Sequence, residues 1–227
     1  MDDYDPNAFD RPSLAVDVVP LSIIDAAPHV LLVRRKEAPF ADAWALPGGF
    51  VGIDEAIDTA ATRALRDKAG ITEVHLEQLY TFGAIDRDPR MRIVSVAHLA
   101  LMPAETMRAL PPAHDRIVAR LGADGGAIGR DGTLALAFDH ATILRTTIER
   151  LRGKIDWSPI GFALLPPLFT LRALQEVHEA ILGRPMNKPA FRRRMLDRGW
   201  LAATSQREEG TSFRPAELYR FKPEPTP

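Results

Sequence analysis

Residues 14–24 and 29–34 are runs of β-branched and apolar side chains separated by Asp25-Ala26-Ala27-Pro28, a pattern that predicts two strands joined by a turn. Beyond a polar loop, Gly48 and Gly49 precede an Ala-rich segment, 55–68, whose composition favours helix and whose Gly70 suits a helix end. Residues 80–82 and 93–102 predict strands flanking the polar loop 86–90. Five glycines between 122 and 132 predict a mobile loop after a short helix ending near Leu121. Asp139 is placed to cap the next helix, whose buried stripe is Ile143, Leu144, Ile148 and Leu151.

From Ser158 the pattern changes. Ser158-Pro159 opens a short helix, and Thr170 caps a second one over 171–182, with Leu171, Leu174, Val177, His178 and Ile181 at helical spacing and Gly183 beyond. Asn187 caps a third, 188–198, closed by Gly199. Residues 200–206 and 216–221 can then pair across a turn at Glu209-Gly210-Thr211. The expected organisation is two units, 12–155 and 156–222.

Composition narrows the class. With 46% hydrophobic residues and a net charge of -1, the 227-residue chain can bury enough surface to offset the entropy of ordering it, which excludes a disordered protein. The longest apolar stretch, 160–169, is broken by Pro166 and Pro167 and falls short of the roughly 18 residues that cross a bilayer. The absence of cysteine removes disulfides, thiolate zinc sites and cysteine nucleophiles. The acidic first residues lack the features of a secretion signal, so a cytoplasmic location is expected. Charge is unevenly shared: residues 161–227 hold 11 basic and 7 acidic groups, a balance of +4, against 18 and 23, or -5, before them. The second unit is the basic one.

Gly49, Glu55, Arg63, Leu65, Gly70 and Ile71 stand at the spacing of the Nudix box, introduced by Leu46-Pro47-Gly48-Gly49, and the region resembles that family. Where the family has three helix glutamates that hold divalent metal, this chain has Ala64, Asp67 and Lys68, which share one helix face. Diphosphate hydrolysis in that family needs carboxylates around Mg²⁺. Ala64 offers no ligand, and the Lys68 ammonium repels a cation by about 1 kcal/mol at 4 Å even in bulk water. Lys68 either meets an anionic ligand directly, helped by Arg34 or Arg35, or pairs with Asp67 or Glu55 on a solvated surface. Strand alternation lets only one of Arg34 and Arg35 face the site. Arg63 is expected to hold Glu55 or loop carbonyls, and Trp44 to be core or, as the alternative, an adenine platform. The loop 81–92 and the strand after it resemble ADP-ribose-directed Nudix proteins, which implies a nucleoside-diphosphate sugar as ligand.

The segments 169–184, 187–196 and 214–221 resemble the winged helix of the Nudix-related transcriptional regulators of NAD metabolism, the NrtR family, as does Leu136-Ala-Phe-Asp-His140. The resemblance implies an α/β Nudix fold, a mixed sheet sandwiched by helices, followed by a small α+β winged-helix domain. On the helix 188–198, Phe191, Met195 and Leu196 take one side and Arg193 and Arg194 the other, with Arg192 among the apolar positions. Outward arginines backed by a basic unit and a hairpin fit major-groove binding; a solvated helix face is the plainer alternative.

The expected ligand-binding residues are Arg34, Arg35, Gly48, Gly49, Glu55, Asp67 and Lys68, and the expected DNA-binding residues Lys188, Arg192, Arg193, Arg194 and Arg214. No catalytic residue and no metal ligand is expected; the six histidines are scattered and read as packed or surface groups. What the resemblance implies is a homodimeric regulator, a repressor, with double-stranded operator DNA and ADP-ribose or a relative as partners and no required cofactor. In the alternative, an Mg-dependent ADP-ribose pyrophosphatase, Glu55, Asp67 and Asp54 or Asp58 hold metal. An inert interaction module would bind neither DNA nor nucleotide.

Overall fold

The structure, a computed structural model, describes residues 8–72, 74–208 and 215–222. Strands β1 (Ser13–Ile24) and β2 (Ala27–Arg34) form a hairpin whose turn is tighter than expected, because pairing runs to Ile24↔Ala27. Asp25 and Ala26 alone make the reversal, both at positive φ.

Around this hairpin a nine-stranded sheet is ordered β5-β6-β1-β2-β7-β8-β9, where β5 is His75–Phe82, β6 Ile93–Leu101, β7 Arg116–Leu121, β8 Ala127–Gly129 and β9 Gly132–Thr133. Two short strands lie off this path: β3 (Trp44–Ala45) pairs with β2, and β4 (Gly48–Phe50) with β1. β1 and β6 run parallel from Ser13↔Ile93 to Leu21↔Leu101, and the other pairs are antiparallel, so the sheet is mixed.

Alternation along β1 divides the core. Val16 and Val18 face helix α1 (Ile57–Ala69), whose Ala60, Ala61, Ala64 and Leu65 are buried; small side chains let this helix approach the sheet closely. The short helix α2 (Ala104–Arg108) adds Met107 to the same side. Val19 and Leu21 face the opposite layer, where helix α3 (His140–Lys154) buries the expected stripe of Ile143, Leu144, Ile148 and Leu151. The sheet is therefore sandwiched by helices, as the fold class requires.

The glycine-rich region departs from expectation. Residues 116–121 are strand rather than helix, because they pair antiparallel with the free side of β2, from Val33↔Arg116 to His29↔Arg120. The five-glycine stretch carries short strands: segments 127–129 and 132–133 pair with each other as a hairpin. Asp139 precedes α3 but makes no capping bond with its side chain.

The second unit comprises a 3-10 helix (Pro159–Leu164), α4 (Leu171–Leu182), α5 (Lys188–Asp197) and the antiparallel pair β10 (Leu201–Arg207) and β11 (Glu217–Phe221). Its caps are as expected: the side chains of Ser158, Thr170 and Asn187 accept from Ile160, Ala173 and Ala190 N–H. Phe169 and Tyr219 exchange both backbone bonds, at 3.0 and 2.8 Å, which fastens the hairpin to the chain before α4. The expected turn at 209–211 lies outside the described residues. Apolar packing does not stop at residue 155: one cluster runs from Val19 and Leu32 through α3 to Leu174, Phe191 and Tyr219. No helix among the described residues is long and apolar enough to cross a membrane.

Candidate functional site

A cavity of about 550 Å³ opens where β1, β2 and β4 meet α1 and the loop between β5 and β6. Gly48 sits at its wall for a steric reason: a Cβ there would lie 2.6 Å from both Asp17 Oδ1 and the Val16 carbonyl. Gly49, paired with Val16, also lines it.

Arg34 and Arg35 both line the cavity, against the expectation that only one would. β2 ends at Arg34, so strand alternation does not govern Arg35. Arg34 pairs with Asp42 at 3.2 Å, while Arg35 donates from Nε to the Pro39 carbonyl at 2.9 Å and lies 4.6 Å over the Phe138 ring. Lys36, Arg90 and Lys68 extend the cationic rim, and Glu37, Asp88 and Asp115 supply opposite charge.

Along α1 the degenerate box is explicit. Ala64 is buried against the sheet. Asp67 lines the cavity but is held by Arg66 at 2.8 Å. Glu55 is not among the lining residues: Arg63 grips both its oxygens at 2.7 and 2.8 Å, and the Gly52 N–H adds a third bond. These bonds pull the Glu55 carboxyl down to about 2. Arg63 also donates to the Phe50 carbonyl at 2.9 Å, so it orders the loop as expected. With its two neighbouring carboxylates engaged elsewhere, Lys68 faces the cavity instead of closing a surface pair. Desolvation by the cavity wall, then the Arg35 charge, lowers its pKa below the ordinary lysine value. At these positions the chain thus presents a buried methyl, two carboxylates paired with arginines, and an ammonium.

The floor carries a polar network that the sequence reading missed. Arg87 donates from Nη2 to Asp17 at 3.1 Å and to Asp139 at 2.7 Å, and from Nε to Asp139 at 3.0 Å. Ser95 Oγ donates to Asp17 at 2.6 Å. The Leu46 N–H donates to His140 Nδ1 at 2.9 Å, which assigns the ring proton to Nε2, 3.4 Å from Asp17 Oδ1. Burial alone would raise the Asp17 pKa, yet His140, Ser95 and Arg87 together hold it well below the usual carboxylate range. His140 is packed, as expected, and also lines the cavity. One signal was available: Asp17 is the single charge between Leu14 and Ile24.

On α5, Phe191 and Met195 are buried, and Lys188, Arg192 and Arg193 are exposed. Arg193 is 87% exposed, with Asp197 no nearer than 4.0 Å. Two expectations fail together. Leu196 is 44% exposed, so it does not belong to the buried face, and without it that face centres between Phe191 and Met195. At 100° per residue this brings Arg194 to its flank, where the guanidinium lies 5.6 Å over Phe191 and 3.2 Å from Asp156. Arg192, expected among the apolar positions, is exposed beside the Tyr219 hydroxyl and opposes the rise in its pKa. Arg214 lies outside the described residues.

Comparison with known proteins matches the NUDIX domain over residues 13–120 and the NrtR DNA-binding winged helix domain over residues 161–221. An ADPR responsive transcriptional repressor, NtrR, of Acinetobacter baylyi is 35% identical across 96% of this chain and 85% of its own length. Among solved structures, Shewanella oneidensis NrtR complexed with a 27mer DNA is similar at 34% identity and a TM-score of 0.79, covering 92% of this chain and 93% of that one. The NUDIX domain of that protein complexed with ADP ribose is similar at 31% identity and a TM-score of 0.51, over 66% of this chain and 94% of that one.

Proposed function

The chain belongs to the NrtR family, and on that footing we propose that it is an ADP-ribose-responsive transcriptional repressor acting on genes of NAD metabolism. Residues 12–155 form the sensor and 156–222 the reader. The observation that carries this reading is that the cation-rimmed cavity and the winged helix share one continuous apolar cluster. A nucleotide cavity alone would suit an enzyme, and a basic helix alone would suit a solvated surface; their packing into one body suits a ligand-controlled DNA reader. A DNA-bound regulator of this type works in the cytoplasm.

Recognition of the diphosphate falls to the rim. Lys68, at the position where an active relative holds metal, serves as a fixed positive charge, with Arg35 and Arg34 beside it. Ligand binding therefore needs no magnesium, and the chain binds ADP-ribose without cleaving it. The α5 surface of Lys188, Arg192 and Arg193 enters the major groove. The charge excess of the reader is small, so a homodimer on a pseudo-palindromic operator doubles its phosphate contacts.

Fluorescence anisotropy with genomic operator fragments, with and without ADP-ribose, tests the function. Saturable, sequence-selective binding that ADP-ribose shifts is expected, and its absence would refute the reading. Calorimetry in chelator tests the finer claim: ADP-ribose binds with little loss when Mg²⁺ is removed, and Lys68→Glu weakens it. Binding seen only with Mg²⁺, or release of product from ADP-ribose, would restore the hydrolase.

A further inference from the structure

The start of α3 is held at three consecutive residues, each by a group that lines the cavity. Arg35 lies over the Phe138 ring at 4.6 Å, Arg87 grips both oxygens of Asp139 at 2.7 and 3.0 Å, and the Leu46 N–H donates to His140 at 2.9 Å. Phe138 has a φ of 52°, a left-handed conformation that a bulky side chain keeps only when its surroundings impose it.

Asp139 is the N-cap residue of α3, yet its backbone stands at φ -95°, ψ 20° and its carboxylate makes no capping bond. The contrast within the same chain is direct. Ser158, Thr170 and Asn187 have ψ of 159°, 157° and 113°, and each side chain bonds into its own helix. The Asp139 carboxylate thus has two competing uses, the Arg87 guanidinium or the Ala141 N–H, since the His140, Thr142 and Ile143 amides already donate to the Ala137 and Asp139 carbonyls; the structure shows the first.

The far end of α3 meets the reader. The helix is about 22 Å long at 1.5 Å per residue over 15 residues. Near its end Arg152 Nε donates to the Ile181 carbonyl of α4 at 3.0 Å. Two residues past it, the Asp156 carboxylate lies 3.2 Å from Arg194 of α5, and the Asp156 carbonyl accepts from Arg198. At the near end Gly125 packs against the first turn so closely that a Cβ would meet the Ala141 carbonyl at 2.1 Å. A change in that turn is passed along a rigid, packed rod.

We propose that residues 138–140 are the transducer between ligand and DNA: a bound diphosphate draws Arg87 and Arg35 to itself, Asp139 swings to cap α3, and the Asp156–Arg194 contact carries the shift to α5. The proposal rests on the functional reading above and assigns its regulation to a side chain that does not itself line the cavity. It meets the condition that a ligand moves an equilibrium only by its differential affinity, since Arg87 is available to the ligand in one state alone.

Two substitutions of the full chain separate this role from a structural one. Asp139→Asn keeps a capping acceptor and loses the charge that holds Arg87; Asp139→Ala loses both. In anisotropy, with a shift of wild-type operator affinity by ADP-ribose expected to be about tenfold, unliganded Asp139→Asn should lie near the liganded wild type. Asp139→Ala should stay near the unliganded wild type and barely respond. Hydrogen exchange should show the Ala141 amide gaining protection with ADP-ribose in the wild type, and already protected in Asp139→Asn. If both variants shift alike, or Asp139→Asn responds as the wild type does, the proposal is overturned while the functional reading stands. A wild type that binds operator and ignores ADP-ribose overturns both.

Discussion

Arg87 and Arg193 are the same side chain under opposite conditions. Arg87 is 5% exposed and shared between Asp17 and Asp139; Arg193 is 87% exposed, with one carboxylate 4.0 Å away. In the first case the charge is committed to the protein, because a buried guanidinium without partners is too costly to keep. In the second it is solvated, and an exposed pair at that distance contributes little. Charge count alone therefore does not tell which arginine serves the fold and which is free to meet a partner.

Substitution should separate the two most clearly in stability. Arg87→Ala leaves Asp17 buried without its cation and should cost about 3–5 kcal/mol in chemical denaturation. A loss under 1 kcal/mol would mean that the network is solvated and the contrast false. Next, Arg193→Ala should lower operator affinity by about 1–3 kcal/mol if it reads a base, with little effect on stability. Arg194→Ala should show the reverse, because its guanidinium is occupied by Asp156. Equal losses of affinity from both would return Arg194 to the groove-facing surface.

The smallest effect concerns a part-buried pair, intermediate between these two. Arg63 and Gly52 lower the Glu55 carboxyl from 4.5 to about 2. Because the folded pKa is the lower one, its contribution is complete above pH 4.5 and is lost as pH falls toward 2. Glu55→Gln should flatten the acid limb of a thermal-melt profile over that window. An unchanged limb would assign acid sensitivity elsewhere, to Asp17 before any other group.

How far the site could be read from sequence depended on the range of the interactions. The Nudix-box substitutions were legible because α1 is local: residues 64, 67 and 68 share a face through helix geometry alone. Lys68 and Asp67 line the cavity, and Glu55 is held by Arg63, eight residues away, one of the two roles expected of that arginine. The floor network was not legible. Asp17 and Arg87 are 70 residues apart and Arg87 and Asp139 are 52 apart, so only the sheet order brings them together.

The amino-acid order by itself determined the two-unit plan, the caps at Ser158, Thr170 and Asn187, the hairpin of β1 and β2, and the buried stripe of α3. These follow from periodicity and short-range hydrogen bonding. Only the tertiary structure decided that residues 116–121 are strand, that Asp139 serves Arg87 instead of its own helix, and that Arg194 lies on the flank of α5 against Asp156. Each of those outcomes depends on a partner distant in the chain: the open edge of β2, a buried guanidinium, and a carboxylate beyond the end of α3. A local pattern sets what a residue can do, and the free energy of satisfying its partners within the packed fold selects which of those things it does.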